Sequence, residues 1–482
     1  VTADTGSESE EIRIDVVALE SPIVSIAGGK NQTVAVGSEV RLNASISDSS
    51  LPTNLVWTMN GESLQCDNEL SYIFEAEAVG RYTITATASN EDGEHSDSVH
   101  IEVVRAEDMP VVWEFELEAY HTVVGRKLRI SPSTVSNMDD VSYTWQIDDN
   151  ESVAGEASFT FVAEAQGEYS VVATATTERD GQQITLTRKF VVTVYEEGAF
   201  YRPQSGASTA EWSKVFDYTP APGQFINELK TGGFDGTQTT MEAAIAYAEK
   251  RMRDENWVSL GGFGGYIIVG FDHSIDNSGN YDFGIKANSF AGSSEPGIVW
   301  VMQDENGDGE PNDTWYELRG SETGKEGTIQ NYSVTYFRPD SEGKPVKWRD
   351  SEGNEGQIDY LKAFHPQPYY YPSWIKEDSY TLTGTRLEAR NYDKSGNGSY
   401  WVQPAYDWGY VDNFSEKDYL AEDKTLNLFD IANAMDEECK AVELKYVDFV
   451  KVQVACNTKS GGLGENSTEV LDFIDYGLKQ TR

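Results

Sequence analysis

Leu55-Val56-Trp57-Thr58 and the later Phe74-Glu75-Ala76-Glu77-Ala78-Val79-Gly80-Arg81-Tyr82 return as Tyr143-Thr144-Trp145-Gln146 and Phe161-Val162-Ala163-Glu164-Ala165-Gln166-Gly167-Glu168-Tyr169. A unit that repeats itself at a domain-sized spacing means tandem domains. Around these phrases run short alternating stretches, such as Glu39-Val40-Arg41-Leu42-Asn43-Ala44 and Arg81-Tyr82-Thr83-Ile84-Thr85-Ala86, bounded by Gly, Asn and Ser. Alternation at period two marks strands with one buried face. No segment of the repeats has the length and period of a helix. Each repeat is therefore predicted to be a small antiparallel β-sandwich, with its Trp on a central core strand and its Gly at the tight turn into the next strand.

Working outward, residues 1–20 are expected to be a flexible acidic leader, since Asp4, Glu8, Glu10 and Glu11 stand among Ser, Thr and Gly with little apolar surface to bury. The first sandwich then covers 21–105 and the second 106–197. From 198 to 482 aromatic residues become dense and strand patterns dominate, giving a third, larger, mostly β domain. Its convincing helix is predicted to start at a capping box of Thr239 and Glu242, with Met241, Ala244, Ile245, Ala248 and Met252 on its apolar face. A shorter helix is expected over Thr209 to Phe216.

Composition narrows the function. Lys and Arg number 37 against 81 Asp and Glu, a formal charge of −44, which repels polyanions and excludes nucleic acid as a partner. Hydrophobic residues at 39 % and aromatics at 12 % are enough to build cores. Cys66, Cys439 and Cys456 are too few and scattered for a disulfide framework or a thiolate zinc site; free buried thiols are expected, with a Cys439–Cys456 pair as the alternative. Carboxylates are so abundant that no pair stands out as a glycosidase acid and nucleophile. No nucleophile elbow or His-Glu-x-x-His sequence occurs, and no catalytic residue is assigned: the chain reads as a non-enzyme.

Three segments carry candidate chemistry. The first, Asp304-Glu305-Asn306-Gly307-Asp308-Gly309-Glu310-Pro311-Asn312-Asp313-Thr314-Trp315-Tyr316-Glu317, alternates oxygen-bearing side chains along a loop that Gly309 lets turn sharply, as a structural calcium ion requires. Asp304, Asn306 and Asp308, the Glu310 carbonyl, and Asp313 or Glu317 are the expected ligands, because Trp315 stands where an EF-hand has its bidentate Glu. An acidic turn held by Asx hydrogen bonds is the alternative. The second, Gly261-Gly262-Phe263-Gly264-Gly265, precedes a strand rather than joining strand to helix, so it fails as a phosphate cradle.

The third is aromatic: Phe364-His365-Pro366-Gln367-Pro368-Tyr369-Tyr370-Tyr371-Pro372-Ser373-Trp374, and Trp401 through Tyr406-Asp407-Trp408-Gly409-Tyr410. Prolines keep such segments out of a central ladder. Exposed rings of Tyr369, Tyr370, Tyr371, Trp374, Trp401, Tyr406, Trp408 and Tyr410 would form a stacking platform, with Gln367, Asp407, Asp412 and Asn413 bonding hydroxyls or amides. The alternative is that the rings cap the ends of a sandwich. His365 is the histidine placed to ligate a soft metal or a corrinoid cobalt, with a solvated loop histidine as the favoured alternative.

The tandem repeats resemble PKD-like and bacterial immunoglobulin-like modules, which serve as spacers or adhesion stalks. The succession Gly265-Tyr266-Ile267-Ile268-Val269-Gly270-Phe271-Asp272, Tyr281-Asp282-Phe283, Glu295-Pro296-Gly297, the acidic loop with Trp315-Tyr316-Glu317-Leu318, His365, Tyr406-Asp407-Trp408-Gly409-Tyr410 and Ser467-Thr468-Glu469-Val470 resembles the C-terminal domain of cell-surface proteins of gut Bacteroidota. That resemblance implies an all-β chain ending in a jelly-roll-like β-sandwich with one or two short helices. It also implies an extracellular, outer-membrane lipoprotein that captures a nutrient: a carbohydrate or similar polar ligand first, a corrinoid second. Adhesion to a host or neighbouring protein is a third expectation. An outer-membrane transporter is an expected partner, and a membrane would be met only through a lipid anchor removed from this chain. Relatives often carry an acidic residue where Lys286-Ala287-Asn288 stands, so an ion ligand at that place is not expected here.

Overall fold

The computed structural model describes residues 2–4, 9–11, 21–27, 29–47, 51–64, 68–419 and 423–481. Most of the expected leader lies outside the described residues, apart from a short antiparallel pair, Thr2–Asp4 with Ser9–Glu11. Cys66 also lies outside them. The chain is all-β with few helices, and it divides into two compact units: 1–115 with 132–141 and 177–184, and 116–131 with 142–176 and 185–482.

In the first unit a sheet ordered Asn31–Ala35, Gly93–Val104, Gly80–Asn90, Asn54–Met59, Glu62–Ser63 shares a core with the sheet Val24–Ile26, Glu39–Ile46, Ser71–Glu75. Alternation explains the assignment: Leu42, Trp57, Phe74, Ile84, Ala86, Val99 and Ile101 all point inward and are buried. The Trp57 indole N–H donates to the Glu69 carbonyl at 2.7 Å, and the Tyr82 hydroxyl to Ala78 at 3.0 Å.

The second repeat reproduces both bonds. Trp145 donates to the Glu156 carbonyl at 2.9 Å and Tyr169 to Ala165 at 2.9 Å. A tyrosine that bonds the backbone four residues upstream fixes the chain as it enters the next strand, the device of the immunoglobulin-type tyrosine corner. The repeated Gly-x-Tyr phrase is therefore a conformational lock.

The largest core lies in the second unit. A six-stranded sheet, ordered Lys214–Thr219, Tyr266–Asp276, Tyr446–Val454, Gly297–Met302, Trp315–Leu318, Ala434–Met435, shares one apolar cluster with the sheet Val258–Ser259, Glu469–Asp475, Phe283–Ala287, Leu426–Phe429. A third sheet of Ile329–Phe337, Val346–Asp350, Glu355–Ile358 and Ser379–Arg386 adds Tyr332, Tyr336, Val346 and Leu382 to the same cluster. Tyr446–Val454 is accordingly an almost uninterrupted buried strand. The glycine-rich segment before Tyr266 threads between these layers: a methyl group on Gly265 would lie 1.9 Å from the Leu260 carbonyl oxygen, and one on Gly261 2.0 Å from that of Ala221.

The helix spans Met241–Arg253 and buries Ala244, Tyr247, Ala248 and Met252. Its cap is Thr240, whose hydroxyl accepts from Ala243 N, rather than Thr239, so the Thr239–Glu242 capping box does not form. The expected helix over Thr209–Phe216 is also absent. Lys214–Thr219 instead pairs antiparallel with Tyr266–Asp276, which buries Val215 and Tyr218. Cys439 and Cys456 are free thiols, Cys456 buried. No helix of the described residues is long and apolar enough to cross a membrane.

Candidate functional site

The acidic loop leaves the strand Gly297–Met302 and returns into Trp315–Leu318. Asp304 is buried; its two carboxylate oxygens accept from Gly307 N at 2.7 Å and Gly309 N at 3.1 Å. The Asn306 amide donates to Asp308 at 3.0 Å, and Asp308 accepts from Glu310 N at 2.8 Å and from the Asn312 amide at 2.8 Å. Asp313 takes Glu305 N on one oxygen at 2.8 Å, while its other oxygen is enclosed without a hydrogen-bond partner. Burial, then the charges of Glu305, Asp304 and Asp308, pushes the Asp313 carboxyl up to about 7. Glu317 is not part of this group. It lies in the strand, accepts the Thr385 hydroxyl at 2.5 Å, and is removed as a ligand because strand pairing with Trp300 carries it past the loop.

The aromatic segments divide into core and surface. Tyr370, Tyr371, Trp374, Tyr406 and Tyr410 are buried and cannot form the expected platform. Each tyrosine hydroxyl is satisfied by nearby backbone: Tyr370 donates to the His365 carbonyl, Tyr371 to Glu377 and Tyr406 to Glu388, while Tyr410 accepts from Glu322 N. Trp374 stacks on Phe234 at 5.8 Å. The proline-rich segment lies outside the sheet ladders, as expected, but these rings turn inward. Asp412 and Asn413, expected to bond a ligand, are buried and engaged with the protein's own backbone: Asp412 accepts from Glu469 N and Asn413 from Tyr406 N. His365 packs edge-on against Phe225 at 4.8 Å, and burial lowers its pKa. Trp401 is half-buried in a two-stranded pair with Tyr392–Asp393.

Tyr369, Trp408 and Asp407 do reach the surface. Asp407 is exposed and paired with Lys417 at 2.7 Å. Trp408 lines a cleft of about 460 Å³ with Tyr281, Arg319 and Asp430. Tyr369, 36 % exposed, lines a larger cleft of about 640 Å³ between the segments 227–239 and 366–373.

This larger cleft is rigidly built. Asn227, held at a positive φ of 60°, donates to the carbonyls of Tyr369 at 3.1 Å and Tyr371 at 2.8 Å. Ser373 closes the same corner by donating to Asn227 at 3.0 Å and to the Gln238 carbonyl at 2.6 Å. The Arg338 guanidinium lies 4.4 Å from the Tyr371 ring centre. Gln367 spends its amide N–H groups on Gln224 and Ile226 carbonyls, at 2.6 and 3.0 Å, and its enclosed Oε1 has no partner. A buried acceptor left open is costly unless something donates to it. Leu229, 65 % exposed, supplies apolar surface at the rim. Apart from the helix start read at Thr239, the segment 227–239 carried no sequence signal of a cleft, because its contribution depends on residues more than a hundred positions away.

The PKD domain family matches residues 24–103, and a PKD-like domain family matches 111–177. A search of curated proteins gives no match. Solved structures similar to parts of the chain include the fibronectin(III)-like modules of Clostridium thermocellum CbhA, at 13 % identity and TM-score 0.19, covering 38 % of this chain and 99 % of that one. The PKD domain of human KIAA0319 is 19 % identical, with a TM-score of 0.16, covering 19 % of this chain and 88 % of that one. A SusE-like surface located polysaccharide binding protein from Bacteroides thetaiotaomicron is 13 % identical, with a TM-score of 0.16, covering 42 % of this chain and 38 % of that one.

Proposed function

We propose that the chain is a non-catalytic, extracellular cell-surface binding protein that captures a carbohydrate or similar polar ligand in the cleft between 227–239 and 366–373. The observation that carries this reading is the pairing of a partly exposed ring, Tyr369, with an enclosed acceptor, Gln367 Oε1, that has no donor of its own. A sugar supplies both complements: C–H faces that stack on an aromatic ring, and hydroxyls that donate to a carbonyl. The PKD-like repeats then act as spacers. An outer-membrane lipid anchor and an outer-membrane transporter partner belong to the same reading.

A structural calcium ion in the acidic loop is part of the proposal. Asp304, Asn306, Asp308, the Glu310 carbonyl and Asp313 are the oxygen donors, and the enclosed, unpartnered oxygen of Asp313 supports the assignment. The experiment is a screen of the full chain against a glycan array and cobalamin, repeated with Tyr369→Ala. Glycan binding that the substitution weakens supports the proposal; no glycan binding, or binding indifferent to Tyr369, overturns it.

A further inference from the structure

A second cluster of carboxylates, away from the acidic loop, is knit together from three distant parts of the chain. Glu295 precedes the strand Gly297–Met302, Asp412 follows Val411, which bridges to Gly297, and Glu469 opens the strand Glu469–Asp475. Backbone bonds fix them to one another: Glu295 N donates to the Asp412 carbonyl at 2.9 Å, Glu469 N to Asp412 Oδ2 at 2.9 Å, and the Thr468 hydroxyl to the Glu295 carbonyl at 2.8 Å. One carboxylate oxygen from each of the three lies within 4.8 Å of the others. Two oxygens on opposite sides of a calcium ion, each about 2.4 Å from it, are about 4.8 Å apart.

Asp412 and Glu469 are 1 % and 4 % exposed, and Glu295 is half-buried. Among the described residues no Lys, Arg or His forms an ion pair with any of them. The donors that reach them are neutral: the amides of Gln403 at 2.8 Å and Asn466 at 3.1 Å on Glu295, and that of Asn288 at 3.3 Å on Glu469. Three carboxylates, two buried and one half-buried, held at this separation without a cation repel one another in a medium that screens poorly.

An independent observation adds to the cluster. Glu465, 4 % exposed, gives one oxygen to Gln224 N at 2.7 Å, while its other oxygen is enclosed and has no hydrogen-bond partner. Its charge bears on both Glu295 and Glu469. A fourth buried carboxylate with an open oxygen, on the residue next to Asn466, whose amide bonds Glu295, beside a group that already lacks a counter-charge, points to a missing cation.

We propose that Glu295, Asp412 and Glu469 hold a hard divalent cation, of the calcium class given the all-oxygen donor set, with Glu465 adding negative charge beside it. The ion welds the start of Gly297–Met302 to the start of Glu469–Asp475, and so ties the two sheets of the sandwich at one end. Glu295 is the side open to solvent, and gives the entry path. This site is independent of the ligand cleft and of the acidic loop.

The test counts calcium on the full chain by metal mass spectrometry after stripping with chelator, reloading and buffer exchange. Asp412→Asn is the first variant, because φ is 55° at that position and asparagine accepts the left-handed region readily. Glu469→Gln is the second, and circular dichroism in chelator confirms that each is folded. Each variant is expected to carry one equivalent less than the unsubstituted chain, and its Tm to rise less on adding calcium. Asp308→Asn, which alters only the acidic loop, is expected to keep the equivalent at this site. Equal counts in Asp412→Asn or Glu469→Gln and the unsubstituted chain, or no calcium on Asp308→Asn, overturn the proposal.

Discussion

Arg126 of the second repeat bonds Glu305 of the acidic loop, Nη1 to Oε1 at 2.5 Å, with both side chains almost wholly buried. The same guanidinium also reaches Gln303 and Glu197. Glu305 N in turn donates to Asp313, so the strands around 126 and the loop share one network. Removing one partner of a buried pair strands the other charge, at a cost of about 3–5 kcal/mol. Arg126→Met is therefore expected to destabilise the second unit by that order in urea unfolding. Arg126→Met combined with Glu305→Gln is expected to recover most of the loss; a double variant no better than the single one would refute the account.

The cleft gives a prediction on affinity. Loss of the Tyr369 ring removes a stacking contribution of about 0.5–1.5 kcal/mol. Calorimetry with a glycan found by the array should then read a few-fold to roughly tenfold weaker binding. Trp408→Ala, in the other cleft, should leave that affinity unchanged.

His273 supplies a pH dependence. Its buried ring sits between Asp475, 2.7 Å from Nε2, and Asp272, 2.5 Å from Nδ1. Burial opposes the imidazolium, but the hydrogen bonds and charges of Asp475 and Asp272 outweigh it and leave the pKa raised. A folded-state pKa above the unfolded value of about 6.5 means stabilisation that is complete below that value and is lost as pH climbs through the folded one. The stability gap between the unsubstituted chain and His273→Gln should be widest near pH 6 and shrink toward pH 9. A gap that widens with pH would contradict this assignment.

Chelation probes the acidic loop. With calcium removed, proteolysis within 304–313 should speed up, and Asp308→Ala should make the cleavage rate insensitive to calcium. Unchanged cleavage in chelator would argue for a loop held by its Asx hydrogen bonds alone.

Legibility in the sequence followed the range of the forces involved. Trp57, Trp145, Tyr82 and Tyr169 could be placed because their partners, Glu69, Glu156, Ala78 and Ala165, lie within the same repeat. The aromatic segment 364–374 misled because proline reports backbone extension and says nothing of which way a ring turns. Tyr371 faces inward because Arg338 covers it and Asn227 holds its carbonyl, and both come from remote strands or loops. Glu295, Asp412 and Glu469 each stood in a phrase the sequence singled out, but their convergence was hidden for the same reason, since it depends on three remote segments meeting. Lys214–Thr219 reads as amphipathic at either period, and only the neighbouring edge of Tyr266–Asp276 decides for strand.

The tight passage at Gly261 and Gly265 bears on how any mutational survey of this chain should be interpreted. Even alanine there drives a carbon into a backbone carbonyl oxygen, that of Ala221 at Gly261 and that of Leu260 at Gly265. A deep scan scored on capture would rank this pentapeptide among the most intolerant stretches, although none of its residues lines the larger cleft. Intolerance at these two positions is a signature of assembly, and an expression readout run alongside would separate it from recognition.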